Sequence, residues 1–347
     1  MHIRLLIPVV FIACGLGVCA EEPSAKEEPI PSPELLQELK KYPHKIVHES
    51  FRDGNWELYV INADGSNPVN LTHTPDLDEL YPKASPDGTL ICFCCDEGKG
   101  DAKVRNLYLM KIDGSGRKKI ADNAREPCWS SDGKQIAFLK GEFETFSYQD
   151  FATKGIFMYD LKSGETREHP NKKINHLYTL NWPTEGKWFV ATVHGGMGFR
   201  HSILALEANG DGVFDLKLGG CRPDVRFDGK QISWGHGDCA VGVADLDLSG
   251  STPKATNVRN AMLSKQPVET YHVDWSPDGK YIAFSYGPRL VKKNLKGLVA
   301  EFPGVEAPDW NICVVDTAHK DRWAMLTTDG KSNKEPDWVF VKEETNK

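Results

Sequence analysis

The sequence predicts an all-β fold, a six-bladed β-propeller of four-stranded antiparallel blades, and three observations carry that expectation. A strand, a tight turn and a second strand recur along the chain. The clearest copy is YHVDWSPDGKYIAF at 271–284, where an apolar run ends at Trp275, Ser-Pro-Asp-Gly turns, and alternation resumes at Tyr281. The acidic turn residues Asp87, Asp132, Glu185, Asp228 and Asp278 return at intervals of about 40 to 50 residues, the length of a four-stranded unit with variable loops. Finally, the N-terminal strands form a unit without its first strand, and EPDWVFV at 335–341 is a first strand without followers. Pairing that C-terminal strand with Lys45 to Glu49 removes two free edges and closes the ring.

In chain order, residues 1–20 place Arg4 before an apolar run and end in Val-Cys-Ala ahead of Glu21, the pattern of a cleaved signal peptide. The run is short for a bilayer, so no transmembrane segment is expected in the mature chain, which is expected in a periplasmic or extracellular space. Cys19 offers lipoprotein processing as an alternative, against which the bulky Val18 argues. Residues 21–44 read as a Pro- and Glu-rich tether and a short helix from about Glu34 to Lys41. Ser32 caps that helix, Pro33 opens it, and Leu35, Leu36 and Leu39 form its apolar side, packed on an outer edge of the domain. The propeller spans 45–341, where CWSSDGKQIAF at 128–138, KASPDGTLICF at 83–93, DVRFDGKQISW at 224–234 and the looser NWPTEGKWFVA at 181–191 repeat the unit. A third strand and a short polar fourth strand follow each copy, and 342–347 form a polar tail.

With 40% hydrophobic and 26% charged residues the chain reads as globular, and its formal net charge of -7 disfavours nucleic acid as a partner. Beyond Cys14 and Cys19, the cysteines read as buried strand thiols rather than a zinc or redox centre. HGGMG at 194–198 lacks the Gly-Lys-Ser/Thr ending of a phosphate loop, and no Gly-x-Ser-x-Gly elbow occurs. Ser85, Ser130 and Ser276 sit in the repeated turns, which already account for them.

ELYVINADGSNPVNLT at 57–72 and WSPDGKYIAF at 275–284 resemble the TolB-type, WD40-like (PD40) propeller repeat, and the likeness runs from about Lys45 to Val341. It implies the propeller fold. It leaves activity open, because propellers of this kind include periplasmic binding proteins, peptidase-associated domains and carbohydrate-active lyases. TolB also carries a preceding α/β domain, for which residues 21–44 offer no counterpart, so the resemblance is to the repeat and not to full-length TolB.

In a propeller the first strands line the central channel, and the fourth-to-first and second-to-third connections share one mouth. Unusual loop length concentrates at that mouth, above all in 286–310, so binding is expected there. The residue three before each Trp position reads Tyr81, Glu126, Thr179, Arg222, His272 and Glu335 around the ring, a mixed-sign rim suited to a polar ligand. Two residues further on, and on the same strand face, come Lys83, Cys128, Asn181, Asp224, Asp274 and Asp337. Asp224, Asp274 and Asp337 belong to three consecutive blades. If they converge, they attract a divalent metal or a ligand ammonium; the alternative is that they bond to backbone amides.

His194, His236 and His272, with Tyr178, are the candidate catalytic residues, and the three histidines are the other candidate metal set. Arg200 and Arg222 are placed to orient a carboxylated ligand. Trp129, Trp182, Trp275 and Trp338 are expected between blades, whereas Trp310, beside the long insertion, is expected to be exposed to a ligand. The function expected from these features is an exported, noncatalytic propeller without a cofactor. It would bind a protein, peptide or glycan through Tyr81, Glu126, Arg200, Arg222, His272, Trp310 and Glu335. A periplasmic polysaccharide lyase or glycoside hydrolase using the histidine and acidic groups of the same face is the alternative, and a scaffold with contacts on its sides is a third reading.

Overall fold

The computed structural model describes residues 30–144, 147, 149–183, 186–264, 268–289 and 300–342. The expected signal segment, the turn residue Glu185 and the tail beyond 342 lie outside these described residues. No helix among the described residues is long and apolar enough to cross a membrane.

Strands β1 (Lys45–Arg52), β2 (Asn55–Asn62) and β3 (Val69–Asn70) begin the first blade. The second blade is β4 (Asp78–Ala84), β5 (Leu90–Glu97), β6 (Val104–Lys111) and β7 (Lys118–Ala121). The third is β8 (Ala124–Trp129), β9 (Gln135–Gly141), β10 (Thr153–Asp160) and β11 (Thr166–Glu168). The fourth is β12 (Leu177–Asn181), β13 (Trp188–His194), β14 (His201–Glu207) and β15 (Val213–Asp215). The fifth is β16 (Cys221–Val225), β17 (Gln231–His236), β18 (Ala240–Asp247) and β19 (Lys254–Leu263). The sixth is β20 (Val268–Trp275), β21 (Tyr281–Pro288), β22 (Asn311–Asp316) and β23 (Trp323–Met325), after which β24 (Ser332–Val339) returns to the first blade. There β24 pairs antiparallel with β1, Lys45 opposite Val339 and Val47 opposite Asp337, giving six four-stranded sheets and the ring closure the sequence predicts.

The repeated turns are wired by their own side chains. In 276–281 the Asp278 carboxylate accepts the Ser276 hydroxyl at 2.9 Å and the Lys280 amide at 3.1 Å, while Ser276 Oγ accepts the Tyr281 amide at 3.0 Å. Gly279 takes φ +71°, a conformation that costs a glycine little. The same bonds hold the turns after Ser85 and Ser130.

Each inner strand then breaks its ladder in the same place. The register slips between Leu80 and Lys83, Arg125 and Cys128, Tyr178 and Asn181, Cys221 and Asp224, and Tyr271 and Asp274. A sixth slip lies opposite Val47 and Glu49, within β24. The first bulged residue is left-handed every time: Tyr81, Glu126, Thr179, Arg222, His272 and Glu335 have φ between 50° and 55°. Four of the six are followed by proline, at Pro82, Pro127, Pro223 and Pro336. Proline has no amide hydrogen to lose from the broken ladder.

The core lies between blades. Trp129, Trp182, Trp275 and Trp338 are all less than a tenth exposed, as expected of residues packing blade on blade. Cys92, Cys94, Cys128 and Cys313 are buried, and burial raises each thiol's pKa, so they act as small apolar side chains. Helix α1 (Pro33–Leu39) is capped by Ser32, whose Oγ accepts the Leu35 amide at 3.2 Å. It buries Leu35 and Leu39 in a cluster with Ile312, Val314, Ala324 and Trp338, across the junction of the sixth and first blades.

Closure by β24 makes the last strand a structural requirement. Deleting residues 334–347 is expected to lower the thermal midpoint by roughly 10 °C or more, because β1 loses its inner partner and Trp338 its packing. Calorimetry of intact and truncated protein showing equal midpoints would overturn this role for β24.

Candidate functional site

The bulges place six side chains around the channel axis, and the structure brings Tyr81, Glu126, Thr179, Arg222, His272 and Glu335 together around one small cavity. They do not form an exposed rim. Tyr81, Glu126, Arg222, His272 and Glu335 are 3%, 4%, 3%, 4% and 8% exposed. The loop-rich mouth is filled instead: Asp150 ion-pairs with Arg222, and Phe151, Ala300, Ala307 and Trp310 pack with Tyr178, Cys221 and Tyr271. Lys334 fastens this cap. Its buried ammonium donates to the carbonyls of Ala300 at 3.1 Å, Phe302 at 2.5 Å and Val305 at 2.8 Å, and lies 4.9 Å from the Trp56 ring centre.

Burial dominates the electrostatics beneath the cap. It pushes Glu126 up to about 7, helped by Asp150 and opposed by Arg222, and Glu335 up to about 8. It brings Lys334 down to about 8 and holds His272 well below the usual imidazole value, with Arg222 adding to the effect. His272 Nδ1 meets Ser285 Oγ at 3.0 Å, and its Nε2 lies 3.1 Å from Glu335 Oε1, at ion-pair distance but outside hydrogen-bond geometry.

The three candidate histidines stand in separate surroundings. His194 stacks on Phe151 with ring centres 4.4 Å apart, His236 meets Asn260 Oδ1 at 2.9 Å, and His272 belongs to the axial ring. Among the described residues, no three His, Cys, Asp or Glu side chains are placed to hold a metal ion. Tyr178 is buried, with the Arg222 guanidinium 5.5 Å from its ring centre, and its hydroxyl lies 3.0 Å from Nε2 of His201. His201 was not among the sequence candidates. Its signal was the hairpin register, which sets it directly opposite His194, and burial lowers its pKa to about 4, with His194 and the exposed Arg200 contributing. Trp310 corrects an expectation: it is 0% exposed, lies against Gly287 where a Cβ would meet its ring at 2.4 Å, and donates Nε1 to the Pro288 carbonyl at 3.2 Å.

The open cavity lies at the opposite mouth, among the Trp-type strand ends and the repeated turns. It is a funnel of about 380 Å³. Trp129, Trp182, Trp275 and Trp338 line its walls with Pro86, Pro183 and Pro277, and Phe227, 61% exposed, stands at its rim. The deeper residues are Lys83, Cys128, Asn181, Asp224, Asp274 and Asp337. The three aspartates do converge, and each accepts a backbone amide from the next blade: Asp224 from Trp275 at 2.8 Å, Asp274 from Trp338 at 2.7 Å and Asp337 from Ala84 at 2.7 Å. Lys83 Nζ sits 2.8 Å from Asp337 and 3.8 Å from Asp274. Burial raises Asp224 to about 7, with Asp337 adding and Lys83 opposing.

Two outcomes are expected. Lys334→Met leaves three buried carbonyls without their donor and should cost about 3 kcal/mol in urea unfolding; a loss within measurement error would remove Lys334 as the fastening of the cap. Asp224 holds its proton more tightly folded than unfolded. Its contribution to stability is therefore full below the unfolded value of 3.8 and is lost as pH rises through about 7. Asp224→Asn, which keeps an oxygen for the Trp275 amide, should match the parent in acid and exceed it by about 1 kcal/mol in mild alkali. Parallel stability curves across that range would contradict the assignment.

No protein-family model matches the chain. The chain is 40% identical over 63 residues to dipeptidyl-peptidase 5 of Porphyromonas gingivalis, a stretch covering 17% of this chain and 9% of that protein. It is 38% identical over 64 residues to the TolB homolog of Chlorobaculum tepidum, covering 18% of this chain and 14% of that protein. These matches thus span a small part of either relative's length. Its fold superposes on the crystal structure of TolB from Acinetobacter baumannii with a TM-score of 0.59 at 18% identity, over 85% of this chain and 66% of that one. The chain is a six-bladed β-propeller related to the TolB and PD40-like propeller proteins.

Proposed function

We propose that this is an exported, noncatalytic binding module whose funnel takes up an extended segment of a protein or peptide partner. The observation that carries the reading is the contrast between the two mouths. The loop-rich end is packed with its own cap, while the turn end keeps an open, preformed cavity of about 380 Å³ walled by tryptophan and proline. Indole and proline faces on rigid inter-blade positions favour an extended chain, which they can bind with little reorganisation of the receptor. This reading keeps the binding role expected from the sequence and moves it from the loop-rich mouth to the other end of the channel. The TolB-like repeat and the signal-peptide pattern of residues 1–20 support an exported location.

A second reading, acid–base cleavage of an acidic glycan, draws on the hydrogen bond between Tyr178 and the neutral His201 near Arg200. Incubation with polygalacturonate, followed by the ultraviolet absorbance of unsaturated products, tests it. A rate absent in the parent protein, or unchanged in His201→Ala, rejects that chemistry.

The binding reading is tested by selecting displayed random peptides on the immobilised protein. Selected peptides should lose at least about tenfold in affinity, roughly 1.4 kcal/mol, for Phe227→Asp at the funnel rim. They should keep their affinity for Phe143→Asp, an exposed position on the loop between β9 and β10. The opposite pattern would return binding to the loop-rich mouth.

A further inference from the structure

The funnel directs charge and aromatic faces into the same space. Among the described residues Lys83 is the cation that pairs with the floor aspartates, reaching Asp337 and Asp274 and leaving Asp224 with the Trp275 amide. Arg226, on the wall, pairs with Asp228 at 2.6 Å and Gln231 at 2.7 Å, with its guanidinium 5.7 Å from the Trp275 ring centre, so its charge is already matched by Asp228. Three carboxylates against one ammonium leave the ionised floor anionic beneath four indoles.

The indoles supply a second observation. Trp129 donates Nε1 to the Lys83 carbonyl at 2.8 Å and Trp182 to the Gly186 carbonyl at 3.2 Å. Trp275 and Trp338 also line the funnel and are 6% and 5% exposed, yet the Nε1 of each is buried without a hydrogen-bond partner. A buried donor left unpaired costs about 1–3 kcal/mol. Two such donors on indoles that line one cavity fit an acceptor that arrives with a ligand and is met by a small turn of the rings.

We propose that the funnel is selective for a lysine or arginine residue within an extended peptide, its cation settling on Asp224 and Asp274 and a peptide carbonyl accepting from the Trp275 and Trp338 indoles. This rests on the peptide reading above and names the chemistry that the site selects. Both halves of the recognition are needed. An arriving cation draws the raised floor carboxyls into their ionised form, which a carboxylate cannot do, and the aromatic walls add cation–π attraction while excluding water from the ion pair. A neutral side chain of equal length fills the same space but leaves the carboxylates desolvated and uncompensated. The raised pKa values of Asp224 and Asp274 fit a floor that lacks a countercharge when empty.

The test uses fluorescent peptide pools that are random except at one central position, fixed as Lys, Arg, Gln, norleucine or Glu. Binding to the full chain is read by fluorescence polarisation. The Lys and Arg pools should bind at least about tenfold tighter than the Gln and norleucine pools, and the Glu pool weakest. Asp224→Asn with Asp274→Asn, its fold checked by circular dichroism, should erase the preference. Each single variant should halve it or more, so that failure of the double variant to fold leaves the question answerable. Phe227→Ala, which removes the rim aromatic without adding charge, should weaken all pools alike. If the pools bind with that rim dependence but the Gln pool matches the Lys pool, or the aspartate variants keep the preference, cation selection is wrong and the funnel reading survives. If no pool binds, both fall.

Discussion

Inner strands swing backbone amides out of their own ladders, and in five of the six blades the preceding blade supplies acceptors for them. This constraint sets the architecture around the axis. The Tyr81 amide is taken by Glu49, that of Thr179 by Glu126, that of Arg222 by Thr192 and that of Glu335 by Ser285. One layer towards the turns, Asp337, Asp224 and Asp274 take the amides of Ala84, Trp275 and Trp338. In every case the acceptor belongs to one blade and the donor to the next, so polar groups that would be orphaned by the bulge become the joints of the ring. The left-handed bulge residues are strained by roughly a kcal/mol each, and those joints hold them in place.

The same rule explains why the two ends of the channel differ. Towards the loop-rich end the side chains are long and charged, and covering them leaves carboxylates with raised pKa values and a lysine with a lowered one. Such a network is costly unless its members are paired, and the cap supplies backbone carbonyls and Asp150 as partners. Towards the turn end the acidic side chains are short, they accept amides of the neighbouring blade, and among the described residues nothing crosses the opening. The result is a polar plug at one end and an aromatic, acid-floored vestibule at the other.

The fold was legible because its signals are local or complementary. A Ser-x-Asp-Gly turn announces itself through bonds within five residues, the indole after each first strand marks a blade junction, and two incomplete ends that fit one another imply closure. The axial ring was legible too, since proline after the bulged residue flags the interrupted ladder. What the sequence could not convey was accessibility. The burial of Trp310 depends on the absent side chain of Gly287 and on the clasp made by Lys334, residues far from it in the repeat pattern. His201 escaped notice because it sits on a third strand, and only the hairpin register sets it beside His194 and Tyr178. Periodicity reports which face a residue takes, but says little about what later folds over that face.

Lys334 belongs to β24, the strand that completes the first blade, yet it grips carbonyls of the segment at 300–305. Ring closure and seating of the cap therefore depend on the same residue. Until the chain's end has found β1, the ammonium that seats the cap is not in position, and the axial carboxylates stay in water, where they ionise at little cost. Once the ring shuts, the cap is drawn down and those groups are sealed in. Capping in this molecule thus acts as a latch tied to the completed circle, linking the closing strand to the cap through one side chain.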